Sequence, residues 1–228
     1  MGKKVAILQS NYIPWKGYFD LINIVDEFII YDSAQYTKQD WRNRNKIKTK
    51  NGIQWLSIPV KHVSISQAII DIEICQSNWG EKHWRTLEAN YAKAKYFKNY
   101  RKVFSELYKT KEIKLSSINS LFIHAINDIL GIKTKITWSS DYELVGGRTE
   151  RLLNLCIQSG ASTYLSGPAA KNYLDEALFK KAGLIVQWMD YSSYRKYNQL
   201  YPPFDHYVSI IDLIFNEGPN AVKFMKSF

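Results

Sequence analysis

Residues able to do chemistry crowd into one stretch, residues 31–48 (YDSAQYTKQDWRNRNKIK). Between Tyr36 and Lys50 stand six Lys or Arg and a single acid, Asp40, with amides and the rings of Tyr36 and Trp41 among them. A purely solvated loop has no need of those rings and amides. A core strand could not bury Arg42 and Arg44 without partners. Guanidinium forks fit phosphate or carboxylate, and aromatic faces supply stacking walls. The stretch therefore suits a polar, anionic ligand. A basic surface hairpin is the plainer alternative.

Within it, Arg42, Arg44 and Lys46, with Lys38 and the downstream Lys61, can clamp a phosphate or diphosphate. Asp32 and Gln35, just past an apolar run, can orient a hydroxyl or an amine, although Asp32 can equally cap the loop it starts. Asp40 serves as a base only if its surroundings raise its pKa. Otherwise it orients Arg42 or Arg44. Asn43, Tyr36 and Trp41 complete this set, and Gln9, Asn11 and Tyr12 form a second polar cluster near the start, the Tyr12 ring being a further candidate stacking wall. Further on, Arg151 opens a helix after Gly146-Gly147, where Glu150 favours capping over anion binding unless Arg151 turns inward. Ser166-Gly167-Pro168 is a strand-to-helix turn whose N–H groups can hold an anion, with Lys171 one turn on. Because Ser166 precedes Gly-Pro, it is not a nucleophile elbow. Trp15 and Tyr18 read as packing residues, Cys156 as core, and His83 and His206 as histidines to test as acid–base groups.

Residues 5–8 form a short apolar β run, residues 18–25 carry helical spacing, and residues 28–31 form the next strand. Strand, helix and strand in that order open a βαβ unit, so the two strands are expected to be parallel. Ligands of such sheets bind off the carboxyl ends of the strands. Residues 9–15 and 32–36 both leave a strand at that end and should meet on one rim. Residues 52–60 read as a strand paired with 45–49 around an Asn51-Gly52 turn. Residues 69–74 can form an edge strand, 81–108 one or two helices, and 116–130 a helix capped by Ser116 or Ser117 and ended by Gly131. The second half repeats strand and helix: strand 136–138, helix 149–159, strand 163–165, helix 169–182 and strand 184–189. Helices over 209–215 and 220–225 close the chain. The expected architecture is one α/β domain over 1–228, a mostly parallel sheet with flanking helices, Rossmann-like or nucleotidyltransferase-like, with a helical insert around 81–130.

A chain of 228 residues with a formal charge of +10 invites an acidic partner. The excess is internal: residues 82–114 alone hold ten basic residues and three acids. No nucleic-acid-binding signature accompanies it. No apolar run is long enough to span a bilayer, and the basic-then-apolar start is too short for a signal peptide and reads as the first strand. Two distant cysteines without a CxxC, and four scattered histidines, leave a cytoplasmic, reduced protein and no metal spacing. No cofactor is named by the sequence.

Six segments in order, QSNYIPWKGYFD (9–20), DSAQYTKQDWRNRNKIK (32–48), WLSIPV (55–60), TER (149–151), YLSGPAAKNY (164–173) and SIIDLIFNEG (209–218), resemble the WbqC-like family. Many relatives begin the first motif with His-Gln-Pro. This chain has Leu8-Gln9-Ser10, so no role for a leading histidine carries over. The resemblance implies a bacterial protein of O-antigen or other surface-polysaccharide (lipopolysaccharide) biosynthesis. It further implies a glycine transferase adding an aminoacyl group to an amino sugar, here read as the amine of a nucleotide-linked sugar; the basic charge suits aminoacyl-tRNA as donor, and ATP activating the amino acid in place is the other option. A non-catalytic nucleotide-sugar or nucleic-acid binder, and an ATP-dependent adenylate-forming amide ligase, are the alternatives.

Overall fold

The computed structural model describes residues 2–228. Its centre is a five-stranded parallel sheet of β1 (Lys4–Leu8), β2 (Glu27–Ile30), β7 (Lys135–Trp138), β8 (Thr163–Ser166) and β9 (Ile185–Trp188), in the order β7-β2-β1-β8-β9. The chain runs outward from β1 through β2 to β7, then crosses back to lay β8 and β9 on the other side. This is a Rossmann-like arrangement, and the β1/β8 boundary is its topological switch point.

The central strands β1, β2 and β8 are short and apolar because both faces are covered, whereas the edge strands β7 and β9 are only partly buried. Ala6, Phe28 and Ile30 face the larger apolar cluster, shared with α1 (Lys16–Asn23), α2 (Trp79–Tyr91), α3 (Phe97–Leu107), α4 (Leu115–Leu130) and α7 (Ile210–Glu217). Val5, Ile7 and Ile29 face a smaller cluster with α5 (Arg148–Gln158) and α6 (Glu176–Lys181). Alternation along β1 and β2 thus divides the molecule into a thick layer and a thin one. No helix among the described residues is long and apolar enough to cross a membrane.

Several local expectations shift. The hairpin of β3 (Arg44–Thr49) and β4 (Gly52–Ser57) turns at Lys50-Asn51, not Asn51-Gly52. Thr49 pairs with Gly52, which takes the positive φ of 102°. Pro59 cannot donate to a ladder, so the expected strand over 52–60 stops at Ser57. A separate pair, β5 (Val60–Lys61) with β6 (Glu73–Ile74), follows. Residues 69–71 wind into a 3-10 turn instead of extending. The α4 N-terminus begins after Lys114 with no side-chain cap, because Ser116 is committed to Asp32. Gly131 ends that helix in the left-handed region, as expected. Helix 169–182 breaks into a 3-10 turn, Pro168–Asn172, and α6, whose N-terminus Asp175 caps through Ala177 and Leu178 N–H. The last expected helix is likewise a 3-10 turn, Gly218–Phe224.

Candidate functional site: a cationic cleft at the strand switch point

The first polar loop leaves β1 at Leu8 and the second leaves β2 at Ile30, so adjacency of the two strands brings both loops to one rim. There they face the start of α5 and the turn after β8 across a cleft of about 580 Å³. Gln9, Ser33, Gln35 and Thr37 line it from the β1 and β2 loops, Arg148 and Arg151 from the start of α5, and Ser166, Gly167 and Tyr173 from the end of β8 and the segment after it. The Arg148 guanidinium lies 4.8 Å from the centre of the Tyr173 ring. Arg151 Nε donates to Gly146 O at 2.9 Å, and Arg151 is among the lining residues. Among the described residues neither arginine pairs with a carboxylate. Glu150 caps the helix start, its Oε2 accepting the Gly147 N–H at 2.5 Å, and its charge stays outside the cleft lining. Among the described residues no Asp, Glu or His lines this cleft.

Arg42 stands behind that wall. Its side chain is mostly covered and donates to Gln9 Oε1 at 3.2 Å and to Asn11 Oδ1, with Asp40 Oδ2 at 3.7 Å. It therefore orients the two amides and is not a free phosphate clamp. Asp40 spends Oδ1 on the Trp41 N–H. Gln35 Nε2 donates to Ile65 O, which pins the cleft-side loop to residues 62–68.

Other expected site residues lie elsewhere. Asp32 is fully buried: Oδ1 accepts the Ser10 N–H at 2.7 Å, and Oδ2 accepts the Ser10 hydroxyl at 2.5 Å and that of Ser116. Burial pushes its carboxyl upward while these donors and the Arg42 charge pull it down. A carboxylate so enclosed positions the β1 loop and offers no exposed oxygen at the cleft, which moves Asp32 from the expected catalytic set to a structural place. Tyr12 is buried with its hydroxyl between His83 Nδ1 at 2.8 Å and Tyr108 at 2.9 Å, and Tyr36 is buried against His62. Neither can be a stacking wall. His83 is enclosed too, and burial lowers its pKa to about 4. Asn43 is structural, exchanging hydrogen bonds with Ile58. Lys38 and Lys61 are exposed outside the cleft lining, and Lys171 lies 5.5 Å from the Trp188 ring centre. Arg44 stacks at 4.2 Å on Trp55, outside the cleft lining, and Lys46, near Trp41 and Trp55, lines a separate pocket together with Trp41. The cleft thus brings together Gln9, Gln35, Arg151, Ser166 and Gly167, and adds Arg148 and Tyr173. The two glycines ahead of Arg148 were the available signal for these last two. Among the described residues no group of three His, Cys, Asp or Glu is placed to hold a metal.

Fold and cleft together define a Rossmann-like α/β protein with an unneutralised cationic cleft where its strand order reverses. The chain belongs to the WbqC-like protein family, whose model matches residues 9–224. It is similar to an uncharacterized protein of Mycobacterium tuberculosis, Rv1507c, at 48% identity over 230 residues covering 98% of both chains. No solved structure matches it.

Proposed function

We propose that the protein is a bacterial surface-polysaccharide biosynthetic enzyme that transfers an aminoacyl group, glycine in the simplest case, to the amine of a nucleotide-linked amino sugar. The observation that supports this most is the pair of unpaired arginines, Arg148 and Arg151, at the start of α5 beside the β1/β8 switch point. Anions are favoured there by the guanidinium charge and by the helix dipole. Gln9, Gln35, Ser33 and Thr37 opposite supply neutral donors and acceptors suited to hydroxyls and an amine.

In the reaction, the amine nitrogen attacks the acyl carbonyl carbon. The C–N bond forms, the C–O bond to the activating group breaks, and the proton lost from nitrogen leaves with the departing oxygen or to water. A cleft wall without carboxylate or imidazole contributes chiefly by holding the two partners in reach. Such a site acts on a donor that arrives already activated, as an aminoacyl ester or an aminoacyl phosphoric anhydride. The cytoplasm, where such donors are made, is the matching location.

The same absence of a proton acceptor favours a second reading, a binder that holds a nucleotide sugar without changing it. Incubating the protein with nucleotide-linked amino sugars and either glycyl-adenylate or glycyl-tRNA separates the two. An amide product detected by mass spectrometry, with turnover lowered by Gln9→Ala, supports transfer. Saturable sugar-nucleotide binding with no product under any donor supports the binder.

A further inference from the structure

A second cavity, of about 320 Å³, opens on the far side of Arg42 from the cleft and shares no lining residue with it. Its walls are aromatic. Trp41 is 40% exposed and packs against Trp55, while Trp15 packs against the exposed ring of Tyr207. Its polar groups are few. Asp205 Oδ1 accepts the Tyr207 N–H at 2.7 Å, and among the described residues Oδ2 takes no hydrogen bond. The Lys46 ammonium, 5.8 Å from the Trp41 ring centre, pairs with no carboxylate among the described residues. Asn11 gives its carbonyl oxygen to Arg42 and keeps its amide nitrogen. Asn45 is spent: its amide donates to Tyr12 O and Ile13 O, and its oxygen accepts the Lys46 N–H.

One acid and one base leave this pocket without the cationic surplus a phosphate needs. A sugar ring would ask for more hydrogen-bonding groups than the three on offer. A flat heteroaromatic ring suits it: two faces for indole and phenol, and one edge for Asp205, Lys46 and Asn11. A carboxylate reading that edge selects an exocyclic amine. It opposes uracil or thymine, whose ring N–H is flanked by carbonyl oxygens that repel it.

We infer that the aromatic pocket binds an amino-bearing nucleobase, adenine foremost, as part of the activated acyl donor. The inference rests on the transfer reading above, where an aminoacyl ester of adenosine or an aminoacyl adenylate would supply that base. Arg42 then serves both ligands. It holds Gln9 in the wall of the cleft and Asn11 in the wall of the pocket, so donor and acceptor meet across one side chain.

The test is isothermal titration of the full chain with adenosine, cytidine and uridine, and separately with inorganic pyrophosphate as the cleft probe. Adenosine is expected to bind at least fivefold more tightly than uridine. Its affinity should fall at least fivefold in Asp205→Asn and in Trp41→Ala, and hold in Arg148→Ala and in the presence of saturating pyrophosphate. Absence of saturable adenosine binding, or affinity unchanged in both pocket variants, or displacement by pyrophosphate, overturns the assignment. ATP and a CCA trinucleotide form two further arms. Tighter binding of either than of adenosine supports the assignment and names the source, whereas failure of both to bind contradicts it. Pyrophosphate binding that ignores Arg148→Ala and Arg151→Ala would sink the cleft reading and leave the pocket standing, so the two failures are distinguishable.

Discussion

Charged groups meet opposite fates in two regions of this molecule. In the packed layer under α4 and α7, three carboxylates are buried and saturated. Asp32 is held by Ser10 and Ser116. Asp20 accepts from Tyr194 at 2.6 Å and from the Lys226 and Ser227 N–H groups. Asp212 accepts from Tyr91 at 2.7 Å and Tyr197 at 2.8 Å. At the strand switch point, Arg148 and Arg151 at the start of α5 pair with no carboxylate among the described residues. Burying a carboxylate is tolerable only when its lone pairs are filled, so the first set is committed to tying loops together. An unpaired cation in a cleft keeps its free energy of interaction for a ligand. The three buried acids hold the structure, and the two cleft arginines are left free of such partners.

That contrast can be broken most forcefully at Asp32. Asp32→Ala strands three buried donors, at roughly 1–3 kcal/mol each, and is expected to lower stability by at least about 3 kcal/mol and Tm by several degrees. Asp32→Asn should cost less while ligand affinity at the cleft is retained. A denaturation midpoint unaltered in the alanine variant would contradict the structural role.

The next largest effect is a pH dependence. Burial depresses the His83 pKa from its ordinary 6.5 to about 4, so the unfolded chain binds the proton more readily. Stability is then complete above pH 6.5 and declines as pH falls toward 4, by about 3 kcal/mol at that end. His83→Gln should flatten this slope in urea titrations run between pH 4 and 7. A slope identical to that of the parent would remove His83 as its source.

Smaller again is the cleft itself. Arg148→Ala and Arg151→Ala should each weaken a phosphate-bearing ligand on the order of tenfold, about 1.4 kcal/mol, with stability changed by less than about 0.5 kcal/mol. Calorimetric titration alongside a thermal melt reads both. Smallest of all, Lys38→Ala should leave affinity within roughly twofold at moderate salt, since an exposed charge outside the cleft acts only through screened distance. A tenfold loss there would mean that the ligand reaches well beyond the cleft.

Much of the fold was legible because it follows from local pattern. Apolar runs of four or five residues separated by helical spacing gave the parallel sheet, and the rim shared by Gln9 and Gln35 follows from strand order. What was hidden depends on partners far along the chain. Tyr12 and Tyr36 look like stacking rings until His83, Tyr108 and His62 close over them. Asp32 looks like a strand-end catalyst until α4 supplies Ser116 from 84 residues away. Arg148 was passed over because a helix start reads as a capping problem. Only the return of β8 beside β1 turns that start toward the loops of the first half. Lys38, Lys61 and Lys171 share the basic composition of the site but not its position, and composition alone cannot separate the two.

The most direct measurement is a calorimetric titration of a nucleotide-linked amino sugar into the parent protein and an Arg148→Ala, Arg151→Ala double variant at one fixed salt concentration. The account predicts saturable binding to the parent, a loss of at least tenfold in the double variant, and melting temperatures within a degree or two of each other. Equal affinity in a double variant that melts like the parent would contradict it, and would move the ligand away from the switch point altogether.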